Sequence, residues 1–195
     1  MSADLGKDLK YLLDRIRVLH RPNITGLILF VSFVLLVVLL RRLDQFFQPY
    51  IWSEELFILR DYLSFGFFSI LEPVQGYLIL SSKLLTLASF KLSFIYYPEI
   101  AAAFSVVFMI CIALAIWLSP TELHNKWLCA LLIFLQPNDP ETFAVALYSF
   151  WWSSLLVVLA ALWKNNYNLY FLKIFYIIFG GLSSPLIIGF VPIFL

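Results

Sequence analysis

Charge is scarce in this chain. Only 13% of its 195 residues are Asp, Glu, Lys or Arg, whereas soluble domains carry about a quarter. That shortage excludes an ordinary water-soluble globule, and with 63% hydrophobic residues and a mean hydropathy of +0.93 the composition is that of an integral membrane protein. Strand alternation is missing, so helices rather than a barrel must satisfy the backbone in lipid. The formal net charge is only +1, which gives no footing for nucleic acid. The two cysteines, Cys111 and Cys129, lie in apolar runs and read as small buried hydrophobes, not as a disulfide or metal pair. His20 and His124 are isolated, which leaves no histidine metal site and no catalytic triad. There is no phosphate-binding loop, no dinucleotide fingerprint and no zinc spacing.

What the chain does have is aromatic and aliphatic residues in long runs. Aromatics make up 18%, which suits helix ends placed in the interfacial belt. Met1 to Arg21 is polar, and no small-residue cleavage site follows the first apolar run, so this end reads as a cytoplasmic segment before an uncleaved signal anchor. Its apolar positions Leu9, Leu12, Leu13, Ile16 and Val18 suit an amphipathic surface helix or a solvated tail. Ile24 to Leu40 is uncharged and roughly 26 Å long as a helix, enough to cross a bilayer core. Arg41 to Tyr97 is mixed in character and reads as an outer loop with two interfacial helices. The first runs from Glu54 to Leu63, with Ser53 as N-cap and Gly66 as its end. The second runs from Tyr77 to about Phe94, with Lys83 and Lys91 roughly on one face. Further spans are predicted over Ile100 to Leu118, from about Leu123 to Leu135, and over Thr142 to Trp163, closed by Lys164-Asn165-Asn166. A last apolar pair, Leu169 to Phe179 and Leu186 to Leu195, is interrupted by Gly180-Gly181 and Ser183-Ser184-Pro185. The expected architecture is therefore an all-α, polytopic transmembrane bundle. Residues 1–23 form the cytoplasmic segment and 24–195 the membrane domain, which ends in apolar residues without a polar flank and reads as incomplete at the C-terminus.

Basic residues orient it. With the N-terminus inside, the inner side collects Lys7, Lys10, Arg15, Arg17, Arg21, Lys126, Lys164 and Lys173, and the outer side Arg41, Arg42, Arg60, Lys83 and Lys91. Most carboxylates then face outward. Glu54 and Glu55 follow the first span, and being adjacent on a helix they diverge by about 100°. One can act as a base while the other binds a metal or a sugar hydroxyl; the same pair also suits a capped helix start. Asp61 beside Arg60 reads as a surface ion pair. Asp139 and Glu141, in a Pro-Asn-Asp-Pro-Glu turn, emerge on the same outer face. Lys83, Lys91, Arg41, Arg42 and Arg60 are the outer cations, available to a phosphate or to lipid headgroups.

Several short stretches occur in a familiar order: Trp52-Ser53-Glu54-Glu55, then Pro73-Val74-Gln75-Gly76-Tyr77-Leu78, Pro137 with Glu141, Trp151, and Gly181-Leu182-Ser183-Ser184-Pro185. Together they resemble the GT-C fold of membrane glycosyltransferases, and within it the bacterial enzymes that use polyprenyl-phosphate sugars, over Ile24 to Leu195 and so over the N-terminal part of such a module. Members often carry Glu-Asp-Gly where this chain has Glu54-Glu55-Leu56, and Asn where Val145 and Tyr148 stand. The resemblance implies sugar transfer from a polyprenyl-phosphate donor to a glycan or lipid hydroxyl at the outer face of the cytoplasmic membrane. Glu54 or Glu55 would be the catalytic base. Lys83, Tyr77, Asp139 and Glu141 would bind substrate, and Glu55 with Glu141 would hold a divalent cation such as Mg or Mn. A transporter or flippase, favoured by the broken C-terminal helices, and a non-catalytic membrane subunit are the competing readings.

Overall fold

The computed structural model describes residues 23–74, 76–137, 139–164 and 169–194; the amphipathic helix expected near Leu9 to Val18 and the Asn165-Asn166 stop lie outside the described residues. Within them the chain is mostly helical, with isolated bridges and no strand. Helix α1 spans Ile24–Arg41 and starts at Asn23, whose side chain accepts from the Thr25 N–H. Helix α2 is the short Leu43–Phe47. Helix α3, Glu55–Phe65, stops at Gly66, where φ of 64° and ψ of −145° suit a residue without Cβ. A 3-10 turn, Gly66–Leu71, leads toward α4, Leu80–Leu92, and α5, Tyr97–Leu118. Then come α6, Lys126–Leu135, the 3-10 turn Pro140–Thr142, α7, Ser149–Ala161, α8, Tyr170–Ser183, and α9, Ile187–Phe194.

Among the described residues two helices are long and apolar enough to cross a membrane: α1, with 18 residues, and α5, with 22. At about 1.5 Å per residue they measure roughly 27 and 33 Å. Helix α5 begins three residues before the expected Ile100, because Pro98 is accommodated in a first helical turn and Glu99 meets the positive end of the helix dipole there. The other apolar segments are shorter than expected. Helix α6 has 10 residues and follows Asn125 in a left-handed conformation, φ 46°, so the helix cannot be extended back to Leu123. Thr142 to Trp163 is not one helix. Residues 143–148 are unwound, Ala144 has φ of 55°, and only the 13 residues of α7 remain helical. The second interfacial helix is also shorter, starting at Leu80 after Ile79 at φ 45°.

Hydrogen bonds fix which helix ends lie together. The Arg41 guanidinium donates to the Leu135 and Gln136 carbonyls at the C-terminus of α6, at 2.9 and 2.6 Å, meeting the negative end of that helix. At the opposite end, Glu122 N–H donates to the Leu162 carbonyl and Lys164 N–H to the Pro120 carbonyl, so the α5–α6 turn pairs with the end of α7. Helices α1, α5, α6 and α7 therefore run alternately up and down. Helices α7 and α8 pack closest: a Cβ on Gly180 would fall 2.9 Å from the Ser153 carbonyl oxygen and from Val157 Cγ2, the close backbone approach that small residues permit between membrane helices.

Two cores result. The bundle core is built from α1, α5, α6, α7 and α8 around Val34, Val38, Met109, Ile116 and Phe134, with Phe134 stacked on Trp152 at 4.8 Å. The second core belongs to a cap made of α3, the 3-10 turn and α4, set against the start of α5 and residues 145–150; it centres on Ile58, Ile79, Leu87, Tyr97 and Leu147.

Candidate functional site

The site follows from the unwound residues 143–148. Buried backbone polar groups must be paired, and here three side chains from distant places, Arg42, Glu55 and Ser82, bond the segment, while Trp152 bonds the residue before it. Arg42, 2% exposed, donates through Nη1 to the Pro140 and Phe143 carbonyls at 3.0 and 2.9 Å. Its Nε and Nη2 hold the Asp44 carboxylate at 3.0 and 3.1 Å, and Nη2 also reaches the Tyr50 hydroxyl. Those bonds from Arg42 hold the Asp44 carboxyl below its usual range. The Trp152 indole N–H donates to the Thr142 carbonyl at 2.7 Å. The Ser82 hydroxyl donates to the Leu147 carbonyl. Glu55 completes the set, accepting at Oε1 from the Leu147 N–H at 3.3 Å and at Oε2 from the Tyr97 hydroxyl at 2.6 Å.

Glu54 and Glu55 are thus separated in role. Glu55 is 2% exposed, has a bond at each oxygen, and its carboxyl is pushed up by burial, against which the bonds from Tyr97 and Leu147 act. It clamps the unwound segment from inside the cap, with both carboxylate oxygens engaged by these bonds. Glu54 is exposed and accepts from the Ser53 hydroxyl at 3.2 Å. That bond replaces the expected Ser53 cap: α3 has Glu54 at its N-cap position, with no side-chain cap bond.

Asp139 and Glu141 lie on the turn that Arg42 grips. Asp139 Oδ1 accepts from the Glu141 N–H at 3.0 Å, and the Asp139 carbonyl accepts from the Thr142 hydroxyl. Tyr148 stands just ahead of α7, at its N-cap position. Burial, together with the negative fields of Glu141, Glu54 and Asp139, pushes its hydroxyl up. The Trp52 ring meets Tyr148 edge-on at 5.7 Å, and Tyr50, Phe150 and Tyr77 extend the aromatic row on either side. The fields of Glu54, Asp139 and Glu141 thus all reach the Tyr148 hydroxyl, from two distant stretches of the chain. A cleft of about 350 Å³ opens beside them, with Ile133, Trp151, Trp152 and Leu155 as apolar walls and Gln136 and Asp139 at its polar side.

The remaining expected residues lie elsewhere. Lys83 is 2% exposed; its ammonium donates to the carbonyls of Ser69 at 2.8 Å, Ile70 at 3.3 Å and Glu72. It closes the C-terminal end of the 3-10 turn, and burial pushes its pKa down, partly opposed by Asp61 and Glu72. Lys91 is exposed, over the Tyr62 ring at 5.5 Å, so the two lysines do not share an environment. Tyr77 pairs its backbone with Val74 across Gly76, whose φ of 92° favours glycine, and its ring faces Phe150. Arg60 pairs with Asp61 at 3.0 Å on the surface, as its neighbourhood in sequence suggested. Cys129 is half-buried, but Cys111 is exposed on α5. Among the described residues no group of three or more His, Cys, Asp or Glu side chains is placed to hold a metal ion. Sequence reasoning missed Arg42 and Tyr97 as clamps and Tyr148 as the centre of the acidic group; an Arg directly behind a span, with no acid on its own helix face, was the available signal. No protein-family model, curated protein or solved structure matches the chain.

Proposed function

We propose that the protein is an integral membrane glycosyltransferase that moves a sugar from a polyprenyl-phosphate donor to an acceptor hydroxyl, with the Arg42 end of the bundle outside. The observation that carries this reading is the edge-on pair of Trp52 and Tyr148 beside Glu54, with the fields of Asp139 and Glu141 from a distant stretch also reaching Tyr148. Carboxylates beside aromatic rings supply what a sugar needs, acceptors for hydroxyls and flat apolar faces for its C–H surface. The adjoining apolar cleft suits the lipid part of a donor.

In this mechanism the acceptor oxygen forms a bond to the anomeric carbon as the bond from that carbon to the phosphate oxygen breaks. The hydroxyl proton passes to Glu54, the open carboxylate, a contribution of about 10² to 10⁴ in rate. Polyprenyl phosphate leaves. Arg41, bonded to the carbonyl of Gln136 on the cleft wall, would neutralise the departing charge in place of the enclosed Lys83. Glu55 is a positioning residue, holding residues 143–148 and so Tyr148. Asp139 and Glu141 orient the sugar. They also fit a divalent cation of the magnesium type, which is commonly held by one or two carboxylates with phosphate oxygens and water; when bound it would neutralise phosphate charge.

The test is transfer in membranes that contain the full chain and a radiolabelled polyprenyl-phosphate sugar. Glu54→Gln is expected to lower transfer by about 10²-fold or more. Wild-type membranes without transfer, or a Glu54→Gln variant as active as wild type, would falsify the assignment. A carrier is the second reading, favoured by the unwound residues 143–148, since broken helices line substrate sites in transporters; labelled substrate flux in proteoliposomes without transfer would select it.

A further inference from the structure

A second cleft, of about 280 Å³, lies away from the acidic group, between α2 and α5. One wall is Phe46, Phe47 and Pro49, the other Glu99, Ala102, Ala103 and Val106, and the unwound Ala144 is part of its lining. The small side chains of Ala102 and Ala103 create the room. Gln45 also lines it, but its amide is committed to the Tyr50 backbone, accepting from the N–H at 3.1 Å and donating to the carbonyl, so it stiffens the wall.

The cleft is graded along the helix axis. Glu99 is in the first turn of α5, and α2 directly follows the end of α1, so the polar mouth lies where the two span-length helices end, at headgroup depth. Val106 lies two turns further along α5, about 10 Å deeper. An acid in a first helical turn is favourable by itself; what turns it toward a ligand is the cleft beneath it, with two phenylalanine rings. Carboxylate and aromatic faces together select an ammonium group. Among the described residues no cation is within ion-pair reach of Glu99.

We infer that this cleft holds a phospholipid with an ammonium headgroup, its amine at Glu99 and its upper acyl segment along Ala103 and Val106. The inference rests on α1 and α5 crossing the membrane and not on sugar transfer, and its test reads lipid retention alone.

The purified full chain is reconstituted with equal amounts of dioleoyl phosphatidylethanolamine, phosphatidylcholine and phosphatidylglycerol, delipidated stepwise in mild detergent, and its retained lipid is counted by native mass spectrometry. Either ammonium lipid is expected to be retained over phosphatidylglycerol by about fivefold, the size of one exposed cation–π and ion-pair contact. Retention of phosphatidylethanolamine alone would assign a hydrogen-bonded primary amine, and retention of both ammonium lipids a purely charge-based contact. Glu99→Gln should bring the preference to within about twofold of parity. Ala103→Trp, at an exposed position, should lower retention of every headgroup by filling the cleft. Equal retention of phosphatidylglycerol by the wild type, or an unchanged preference in Glu99→Gln, overturns the inference; unchanged helical content by circular dichroism verifies that both variants fold.

Discussion

The bundle and the cap bury their residues by opposite means. Around Phe134 and Met109 the bundle core is almost wholly apolar, and its order comes from shape: Phe134 on Trp152, and Gly180 admitting α8 against Ser153 and Val157. The cap and its junction with the bundle enclose Arg42, Glu55, Lys83 and Ser82, each bonded to a backbone group outside the α-helices. Apolar packing tolerates exchange among side chains of similar volume, whereas a buried backbone group that loses its partner costs its full desolvation. The cap region is therefore the part of this protein where chemical identity matters more than size, and it is also where the exposed acids collect.

Matched substitutions test that contrast most sharply. Arg42→Met preserves much of the volume but strips the buried Phe143 carbonyl of its donor and Asp44 of its guanidinium, leaving the Pro140 carbonyl only the Phe143 N–H; it is expected to lower stability by about 3 kcal/mol in a detergent unfolding titration. Phe134→Leu, a change of shape in the bundle, should cost only about 1 to 1.5 kcal/mol. Equal losses would remove the distinction. Gly180→Ala asks whether shape really governs the bundle: the added methyl meets backbone, so α7 and α8 must part, at about 2 kcal/mol, seen as a lowered thermal midpoint. A neutral Gly180→Ala would mean that the two helices slide freely.

The smallest effect is on pH dependence. Burial raises the Glu55 carboxyl above its ordinary value of 4.5, so the folded state holds its proton more tightly than the unfolded one. The associated stability is fully present below that ordinary value and is lost as pH rises through the folded-state pKa. Lys83, lowered by burial, acts with the opposite sign: its penalty is relieved as pH rises through its folded-state value toward 10.5. Glu55→Gln should flatten the acid-side dependence and cost less than about 1 kcal/mol at low pH, because the amide oxygen still accepts a hydrogen bond. Hydrogen exchange at residues 145–150 is the local readout, and a Glu55→Gln profile that still falls with pH would dissociate the clamp from the carboxyl.

Several features were legible along the chain. The uncharged run from Ile24 and the Pro-initiated run to Leu118 became the two long helices, Gly66 ended α3, and Arg60 found Asp61, because each depends on neighbours within a turn or two. Residues 143–148 were not legible: Phe143, Ala144, Val145, Ala146 and Leu147 continue the apolar pattern of α7 without a break. Their unwinding depends on Arg42, Glu55 and Ser82, about sixty to a hundred residues distant in the chain, supplying bonds that a helix would otherwise make. Lys83 is a similar case, since nothing beside it in sequence announces the three carbonyls it closes.

The sequence alone determined that this is a helix-forming, charge-poor chain with apolar runs long enough to cross a bilayer, because hydropathy and length are properties of a segment by itself. That only Ile24–Arg41 and Tyr97–Leu118 keep that length as helices among the described residues was decided by the fold. Which of Glu54 and Glu55 stays in water, and which acids act on Tyr148, only the tertiary structure decided. Adjacent helical positions point about 100° apart, and whether a direction leads to solvent or to a buried N–H depends on what the rest of the chain has packed there.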